Sequence, residues 1–562
     1  MQDEINKLIK YKVFSIIDKP PNTKIITTRF VNTYKPYDIK GKFFKSRLVV
    51  QGHKMTAFED YDPRNIYSPV IDLSSLRTLL LIAAKLNLKC HMLDVESAYL
   101  NSDIDKPVLV YPPKELKIEK NKVWMLHKSL YGLPTSSRNW YNELKSILTN
   151  IGLVQNEIDA GIFQIINAHE TLIIGVYVDD LILLSKDEKT LKWFREELEK
   201  KLEIKYFEEI TTYLGLTITN DEKEIRINQN AMVRELLKRE NISENNISNL
   251  PSFVREEDED EIISEENRLV LRIQNLKDQI NDNKQFSFGN SKITDTEIKD
   301  LKIDKEKIDE IIQKLNDNKL SKEDTTRYQS IVGSMLWISR NSRPDISFST
   351  NQLGSKCANP SQLDMLRARK ALGYLYINPE LELKFAKDKG EQDKHCQIEI
   401  FVDASYAPMS DKKSVTGYAI FVNQDLLSWS TKKQTKVTKS AFESELVALN
   451  SALTEAEFIT KLLKSLGLTV GKIKVWEDNN AVISTCYQDN LGHKQRSIDI
   501  DLRIIQKKLD TGEIEINRID SIDNIADTFT KQLGQLGFDK MKGALLNRKE
   551  YNFRVNVKSN ND

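Results

Sequence analysis

In the stretch VYVDDLILL, Asp179 and Asp180 interrupt a strongly apolar, β-prone run covering residues 171–185. Neighbouring carboxylates at the end of a buried strand repel each other and lose hydration. A divalent cation removes both problems. Asp94 closes the apolar piece CHMLD and has the same context. Two such strand-end positions would hold two hard cations about 3.5–4 Å apart, the arrangement used for phosphoryl transfer. One ion would lower the pKa of an attacking hydroxyl, and the other would steady a pyrophosphate leaving group. The plain alternatives are a hairpin turn for the Asp pair, since Asp favours turns, and a helix cap for Asp94.

Four more acids stand out near the C-terminus. Asp403 ends the strand-like IEIFVD, Glu445 lies in the helical SAFESELVAL, Asp478 ends KVWED, and Asp527 opens NIADTFTK. Each alone is an ordinary solvated or capping acid. Taken in order they give a strand-end Asp, a helical Glu, a strand-end Asp and a helix-start Asp. That order is a second candidate cradle for metal. Glu443 is a near neighbour of Glu445. Glu477, beside Asp478, should point the opposite way along a strand.

The elements that must carry these residues are readable from periodicity. Residues 1–60 read as short strands with turns at PPNTK and DIKGK. Leu76, Leu79, Leu80 and Ala83 fall at i, i+3, i+4, i+7, a helix with one apolar stripe that Asp72 or Ser74 can cap. Residues 90–93 then read as a buried strand. Residues 122–153 read as strand, Gly/Pro turn and amphipathic helix. A helix over 190–202 and a strand pair around TTYLGLTI follow. From about 240 to 325 the chain turns to Asn, Lys, Glu, Asp and Ile and reads as a charged helical insertion with an acidic loop. Helical stretches resume at RYQSIVGSMLWISR and over 346–377. Residues 396–533 alternate as three strands, a helix over 440–463, a strand, two helices (the second 497–509), a strand and a helix over 524–533. That pattern implies a mixed sheet covered by helices. The last thirty residues read as a loosely attached tail.

The chain has 562 residues, 40% hydrophobic and 30% charged, enough apolar material for three or four domains. Its longest apolar stretches fall far short of the ~18–20 residues that cross a bilayer. The first residues do not form a secretory signal. Four scattered cysteines support neither a disulfide framework nor a zinc site. The 83 basic and 83 acidic residues cancel, but Glu256 to Glu266 alone carries eight acids and no base. Global neutrality therefore does not exclude a basic groove elsewhere.

The blocks LDVESAYLN, KSLYGLPTSSRNWY, IGVYVDD, YLGLTI and IVGSMLWISRNSRPD, with YSPVIDLSSLRTLLLIAA before them, closely resemble the reverse transcriptase of Ty1/copia-type LTR retrotransposons. FVDASYA, SELVALNSAL, WEDNNAVIS and NIADTFTK resemble the ribonuclease H of the same elements. The resemblance covers nearly the whole chain. It implies an α/β (α+β) multidomain fold: a right-hand polymerase of fingers, palm and thumb followed by a ribonuclease H-like mixed-sheet domain. The implied limits are 1–240 for fingers and palm, 241–325 for a thumb-like charged insertion, 326–395 for a connection-like helical region, 396–535 for ribonuclease H and 536–562 for a tail.

The resemblance also implies site residues. Asp94, Asp179 and Asp180 would ligate one pair of Mg²⁺ (or Mn²⁺) ions, and Asp403, Glu445, Asp478 and Asp527 another. Tyr99 matches the aromatic residue that leaves no room for a 2′-hydroxyl. Lys45 and Arg47 match the fingers strand that grips the incoming triphosphate, where an Arg fork suits the task; the plain alternative is a solvated strand face. Tyr177 and Val178 of the YVDD motif belong to the substrate site. Leu214 and Gly215 match the primer-grip hairpin, against the alternative of a core Leu and a turn Gly. The implied partners are an RNA template, a DNA primer, RNA–DNA hybrid and deoxynucleoside triphosphates, with the element's integrase and capsid proteins. The implied location is the cytoplasm, in a virus-like particle, or the nucleus with a transposition complex. Hybrid would be read by backbone and 2′-hydroxyl.

Departures exist. The family reads YGLKQAPR where this chain reads YGLPTSSR (Tyr131–Arg138), and Arg29 replaces a fingers Trp. No His stands in NRIDSIDNIAD, and His493 lies upstream. The competing reading is a decayed nucleic-acid-binding scaffold or a non-catalytic polymerase subunit. A lone integrase would not explain YVDD or Tyr99. Capsid, protease and integrase blocks are missing, so the expectation is a truncated polyprotein or an isolated reading frame.

Overall fold

The computed structural model describes residues 1–34, 44–116, 118–119, 121–167, 170–251, 318–387, 394–407, 412–488 and 499–546. The acidic run at 256–266 and His493 lie outside the described residues. The chain divides into two compact units, 1–213 with 387–394 and 461–468, and the remainder.

The first unit opens with helix α1 (Gln2–Lys10), where strands were expected. Asp3 and Glu4 in its first turn and Lys7 and Lys10 in its last complement the helix dipole. Ile5 and Leu8 face the core. Strands β1 (Phe14–Asp18), β2 (Thr28–Tyr34) and β3 (Phe44–Val50) follow. Then come α2 (Leu73–Lys85), β4 (Lys89–Val95), β5 (Asp103–Val110), β6 (Lys122–Lys128) and α3 (Ser136–Ile151). The unit continues through β7 (Val154–Gln155), β8 (Ile162–Ile166), β9 (Thr171–Tyr177), β10 (Asp180–Ser185), α4 (Glu188–Glu199) and β11 (Ile204–Phe207). β1, β6 and β5 form one sheet and β2 pairs with β3.

The central sheet has the order β11-β4-β10-β9-β8-β7. One core joins its Leu93, Phe163, Ile174, Leu181 and Leu183 to Trp140, Leu144 and Leu148 of α3 and to Leu191, Phe194 and Leu198 of α4. α2 starts at Asp72, whose carboxylate accepts from the Ser74 amide at 2.8 Å. Gly175 of β9 is required for α2 to approach, since a Cβ there would lie 3.1 Å from Leu79 Cδ1 and 2.7 Å from Ile71 Cδ1. The unit is completed by residues distant in sequence: Asn156 and Gln164 side chains donate to Oγ and the carbonyl of Ser465 at 2.8 and 2.9 Å.

The second unit begins with the hairpin β12 (Leu216–Asn220) and β13 (Glu224–Asn228), to which β14 (Leu383–Ala386) adds. Helices α5 (Asn230–Arg239), α6 (Lys322–Asn341), α7 (Ser347–Gly354) and α8 (Gln362–Ile377) pack around Leu236, Tyr328, Met335 and Tyr374. The expected boundary at 240 therefore falls inside a packed core, because α5 buries its apolar stripe against α6 and α8. Within this core Arg343 and Asp345 form a fully buried ion pair at 2.7 Å, also bonded by the Tyr374 hydroxyl.

Strands β15 (Ile398–Ser405), β16 (Val415–Val422) and β17 (Asp425–Lys433) precede the long α9 (Ala441–Ser465). β18 (Ile473–Glu477), α10 (Asn480–Cys486), α11 (Asp499–Asp510), β19 (Ile514–Arg518) and the single turn α12 (Asp527–Thr530) complete the expected order. The sheet order is β17-β16-β15-β18-β19, antiparallel among the first three and parallel among the last three. The tail expectation is corrected over residues 535–546. α13 (Gln535–Leu545) is a docked helix whose Phe538 ring meets Tyr374 edge-on at 5.6 Å. Phe538, Met541 and Leu545 recur at helical spacing and are all buried.

Candidate active sites

β9 and β10 pair with Tyr177 opposite Asp180, leaving Val178 and Asp179 as a two-residue turn. Val178 has φ +58°. A β-branched residue in that region is an outlier that costs about 1–3 kcal/mol and persists only where its surroundings impose it. On the other side of β10, Asp180 stands directly opposite Asp94 of β4. The Val95 amide donates to the Asp179 carbonyl at 2.8 Å. The register thus brings Asp94, far away in the sequence, to the same corner of the sheet as the adjacent Asp179 and Asp180.

The corner is electrostatically loaded. Burial first, then the charges of Asp179 and Asp94, push the Asp180 carboxyl up to about 6. Asp179 is also raised, by burial and then by Asp94, while Arg47 and Lys45 pull it back. Both cations expected to bind a triphosphate therefore act on the Asp179 turn from β3. Arg47 lies over the Tyr131 ring at 5.1 Å, and Tyr131 meets Tyr99 edge-on at 5.0 Å. The Tyr99 hydroxyl bonds Ser137 Oγ at 3.0 Å. The altered YGLPTSSR segment is locally satisfied: Ser136 Oγ donates to the Leu130 carbonyl at 2.7 Å and Ser137 anchors Tyr99. Tyr177 is exposed and Val178 half-buried. Leu214 and Gly215 adopt φ +52° and +76° in the turn opening β12, in the second unit. Sequence reasoning missed Lys205, which contacts Asp94 at 3.3 Å and Glu96 at 3.0 Å. A surface lysine on a short strand gave no signal.

In the second unit, Asp403, Glu445 and Asp478 each offer an oxygen within 4.8 Å of the others. Asp403 projects from β15, Glu445 from α9, and Asp478 follows β18 directly. Lys531 joins Asp527 to this group, contacting Asp403 Oδ1 at 3.1 Å and Asp527 Oδ1 at 2.7 Å. Thr530 Oγ1 also donates to Asp403, and Ser521 Oγ donates to Asp478 at 2.7 Å. Lys531 and Thr530 are the residues missed here, hidden in an unremarkable TFTK. Glu445 is driven far up by burial, then by Asp403, Glu477 and Asp478. Asp527 is raised by burial and by Asp403, against the pull of Lys531. Glu443 turns back to accept from the Lys439 amide at 2.7 Å. Glu477 stays outside the three-carboxylate group but is wholly buried, with Oε1 accepting from the Asn479 amide at 3.0 Å.

The donors fit hard divalent cations. Both sets are all-oxygen and anionic, the ligand chemistry of Mg²⁺ or Mn²⁺. Glu445 Oε2 is buried and lacks a hydrogen-bond partner, a state that a bound cation would resolve. A stability prediction follows from the raised acids. A carboxyl whose native pKa exceeds its unfolded value binds its proton more tightly when folded, so stability falls as pH rises through the interval. For Asp180 that interval runs from 3.8 to about 6, and the raised Glu445, Glu477 and Asp527 extend it upward. In chelator, the chain is expected to melt at lower temperature at pH 8 than at pH 5.5, and millimolar Mg²⁺ should raise the pH 8 value more. Calorimetry showing no Mg²⁺ effect at pH 8 would contradict the cation reading.

The first unit carries a six-stranded sheet whose strand-end carboxylates face one another, and the second carries a five-stranded mixed sheet with a gathered group of acids. Residues 11–254 match the family model of reverse transcriptase (RNA-dependent DNA polymerase). The Pol polyprotein from transposon RE1 of Arabidopsis thaliana is 26% identical over 545 residues, 96% of this chain and 33% of that protein. That of transposon TNT 1-94 from Nicotiana tabacum is 24% identical, over 96% and 37%. The Ty1-H Gag-Pol polyprotein of Saccharomyces cerevisiae is 22% identical, over 94% and 27%. The reverse transcriptase match thus covers residues 11–254, and over most of its length the chain is similar to Ty1/copia-type Pol polyproteins. It spans about a third of the length of these curated relatives. Among solved structures, the prototype foamy virus protease-reverse transcriptase is similar at TM-score 0.26 and 12% identity, covering 98% of this chain and 76% of that one. LC11-RNase H1 is similar at TM-score 0.20 and 17% identity, covering 26% and 96%. At these scores the fold rests on the strand orders alone.

Proposed function

We propose that the chain copies RNA into DNA at the Asp94–Asp179–Asp180 corner and cuts the RNA of the resulting hybrid at the Asp403–Glu445–Asp478–Asp527 cluster. The observation that carries this reading is the presence of two carboxylate cradles, each assembled inside its own unit. When bound, Mg²⁺ or Mn²⁺ would supply an ionised nucleophile, a primer 3′-hydroxyl at one site and a water at the other, and would neutralise the leaving group. Asp94 and Asp179 would hold the ions at the first site, with Asp180 as the supporting carboxylate. Lys45 and Arg47 draw a nucleoside triphosphate toward Asp179. Tyr99, fixed by Ser137 and Tyr131, offers the ring against which a deoxyribose is measured.

The outer face of α6 suits the duplex. Gly333 sits mid-helix, exposed, with open space where a Cβ would be. Internal packing gives no reason for it, and Gly costs about 1 kcal/mol relative to Ala there. Trp337, one turn on, is 39% exposed. Close approach of a sugar–phosphate backbone to this face accounts for both. Gly333→Ala is expected to raise Tm slightly yet weaken RNA–DNA hybrid binding severalfold by fluorescence anisotropy; unchanged binding would remove α6 from the interface.

The test of the whole reading is primer extension by the purified chain on poly-rA/oligo-dT with Mg²⁺ or Mn²⁺, alongside cleavage of an end-labelled RNA–DNA hybrid. Extension with shortening of the RNA supports it. Tight hybrid binding with neither activity would favour the decayed scaffold instead.

A further inference from the structure

We propose that Trp140 is a positioning residue that holds the Asp179 turn in its strained, productive shape; this rests on the polymerase reading above. The turn residue Val178 is β-branched and stands at φ +58°. Left to itself such a residue relaxes to negative φ, which swings the peptide that follows it. That peptide carries the Val178 carbonyl at one end and the Asp179 amide at the other. The Trp140 indole N–H donates to the Val178 carbonyl at 2.7 Å. One residue on, the Val95 amide donates to the Asp179 carbonyl at 2.8 Å. Two consecutive carbonyls are thus gripped from two directions, by helix α3 and by strand β4.

The anchor itself is rigid. Trp140 is 1% exposed and packed in the core with Leu144, Phe163 and Val176. Its indole is a donor only, planar, with two rotatable bonds, so it fixes a direction as well as a distance. Among the described residues, no other side chain is seen donating to the Val178 carbonyl. Without the indole N–H, the Val178–Asp179 peptide is free to rotate and the Asp179 carboxylate leaves its place beside Asp94. Trp140 acts through the Val178 carbonyl and not on a reacting atom.

The test uses the full chain on poly-rA/oligo-dT with Mg²⁺. Trp140→Phe removes the donor. Replacement of Trp140 by 3-benzothienylalanine removes the donor while keeping the bicyclic shape, so folding is not at issue. Both are expected to lower kcat about tenfold, the size of one lost buried hydrogen bond, with the KM for dTTP and the rate of hybrid cleavage within about twofold of wild type. In a Val178→Gly background, where positive φ carries no steric cost, the same replacement should cost less than about threefold. A benzothienyl variant within about twofold of wild-type kcat, or an equal loss in both backgrounds, overturns the proposal. A wild-type chain that extends no primer sinks the polymerase reading and this proposal with it.

Discussion

Asp179→Asn is expected to abolish primer extension, by about a thousandfold or more, equivalent to ~4 kcal/mol of barrier, while hybrid cleavage should continue at close to the wild-type rate. The amide is isosteric, so the turn, its Val95 bond and the strand pairing survive. What is lost is an anionic oxygen in a corner where Asp94 and Asp180 then face the ions alone. Burial and Asp94 both oppose the Asp179 charge; removing it relieves that repulsion. The metal-free variant is therefore expected to melt at the same temperature as wild type or higher. A drop in Tm together with loss of both activities would indicate damage to the fold rather than to the site.

Asp478→Asn is expected to do the reverse: RNA cleavage should fall by a similar factor, about a thousandfold, and primer extension should persist. Asp478 is one of three carboxylates whose oxygens lie within 4.8 Å, and the Ser521 hydroxyl can still donate to an Asn carbonyl. Relief of repulsion on Glu445 predicts a second effect, a Glu445 carboxyl that ionises more readily. The pair of variants, assayed in parallel on primer extension and on labelled hybrid, gives a crossed pattern. Both variants retaining both activities would show the site assignments to be wrong.

Asp94, Asp179 and Asp180 were legible in the sequence because each is anomalous locally, whereas Asp403, Glu445, Asp478 and Asp527 were legible only through the order of the elements that carry them. Asp179 and Asp180 sit inside an apolar run, and Asp94 ends an apolar strand; physics demands a reason for charge in such places. The order of strands and helices around 396–533 was legible from periodicity, with ends displaced by a few residues. What stayed hidden depends on tertiary partners. Trp140 reads as one more apolar residue of an amphipathic helix, and only the structure shows its indole aimed at a carbonyl 38 residues away. Lys531 and Lys205 look like surface lysines until the strands place them beside carboxylates. α1 and α13 were misread because each spans few turns, with too few apolar positions for the period to emerge against charged neighbours.

The borrowed segment at 461–468 has a consequence for how the gene tolerates nonsense mutations. Asn156 is almost fully buried, and its side-chain amide donates both to Gln164 Oε1 and to Ser465 Oγ. A ribosome that stops anywhere before codon 465 releases a first unit in which Asn156 and Gln164 each lose a hydrogen bond to Ser465, roughly 0.5–1.5 kcal/mol apiece once water takes its place. Premature termination in the second unit is thus expected to weaken the first, so silencing one of the two proposed activities cleanly calls for a missense change and not a stop.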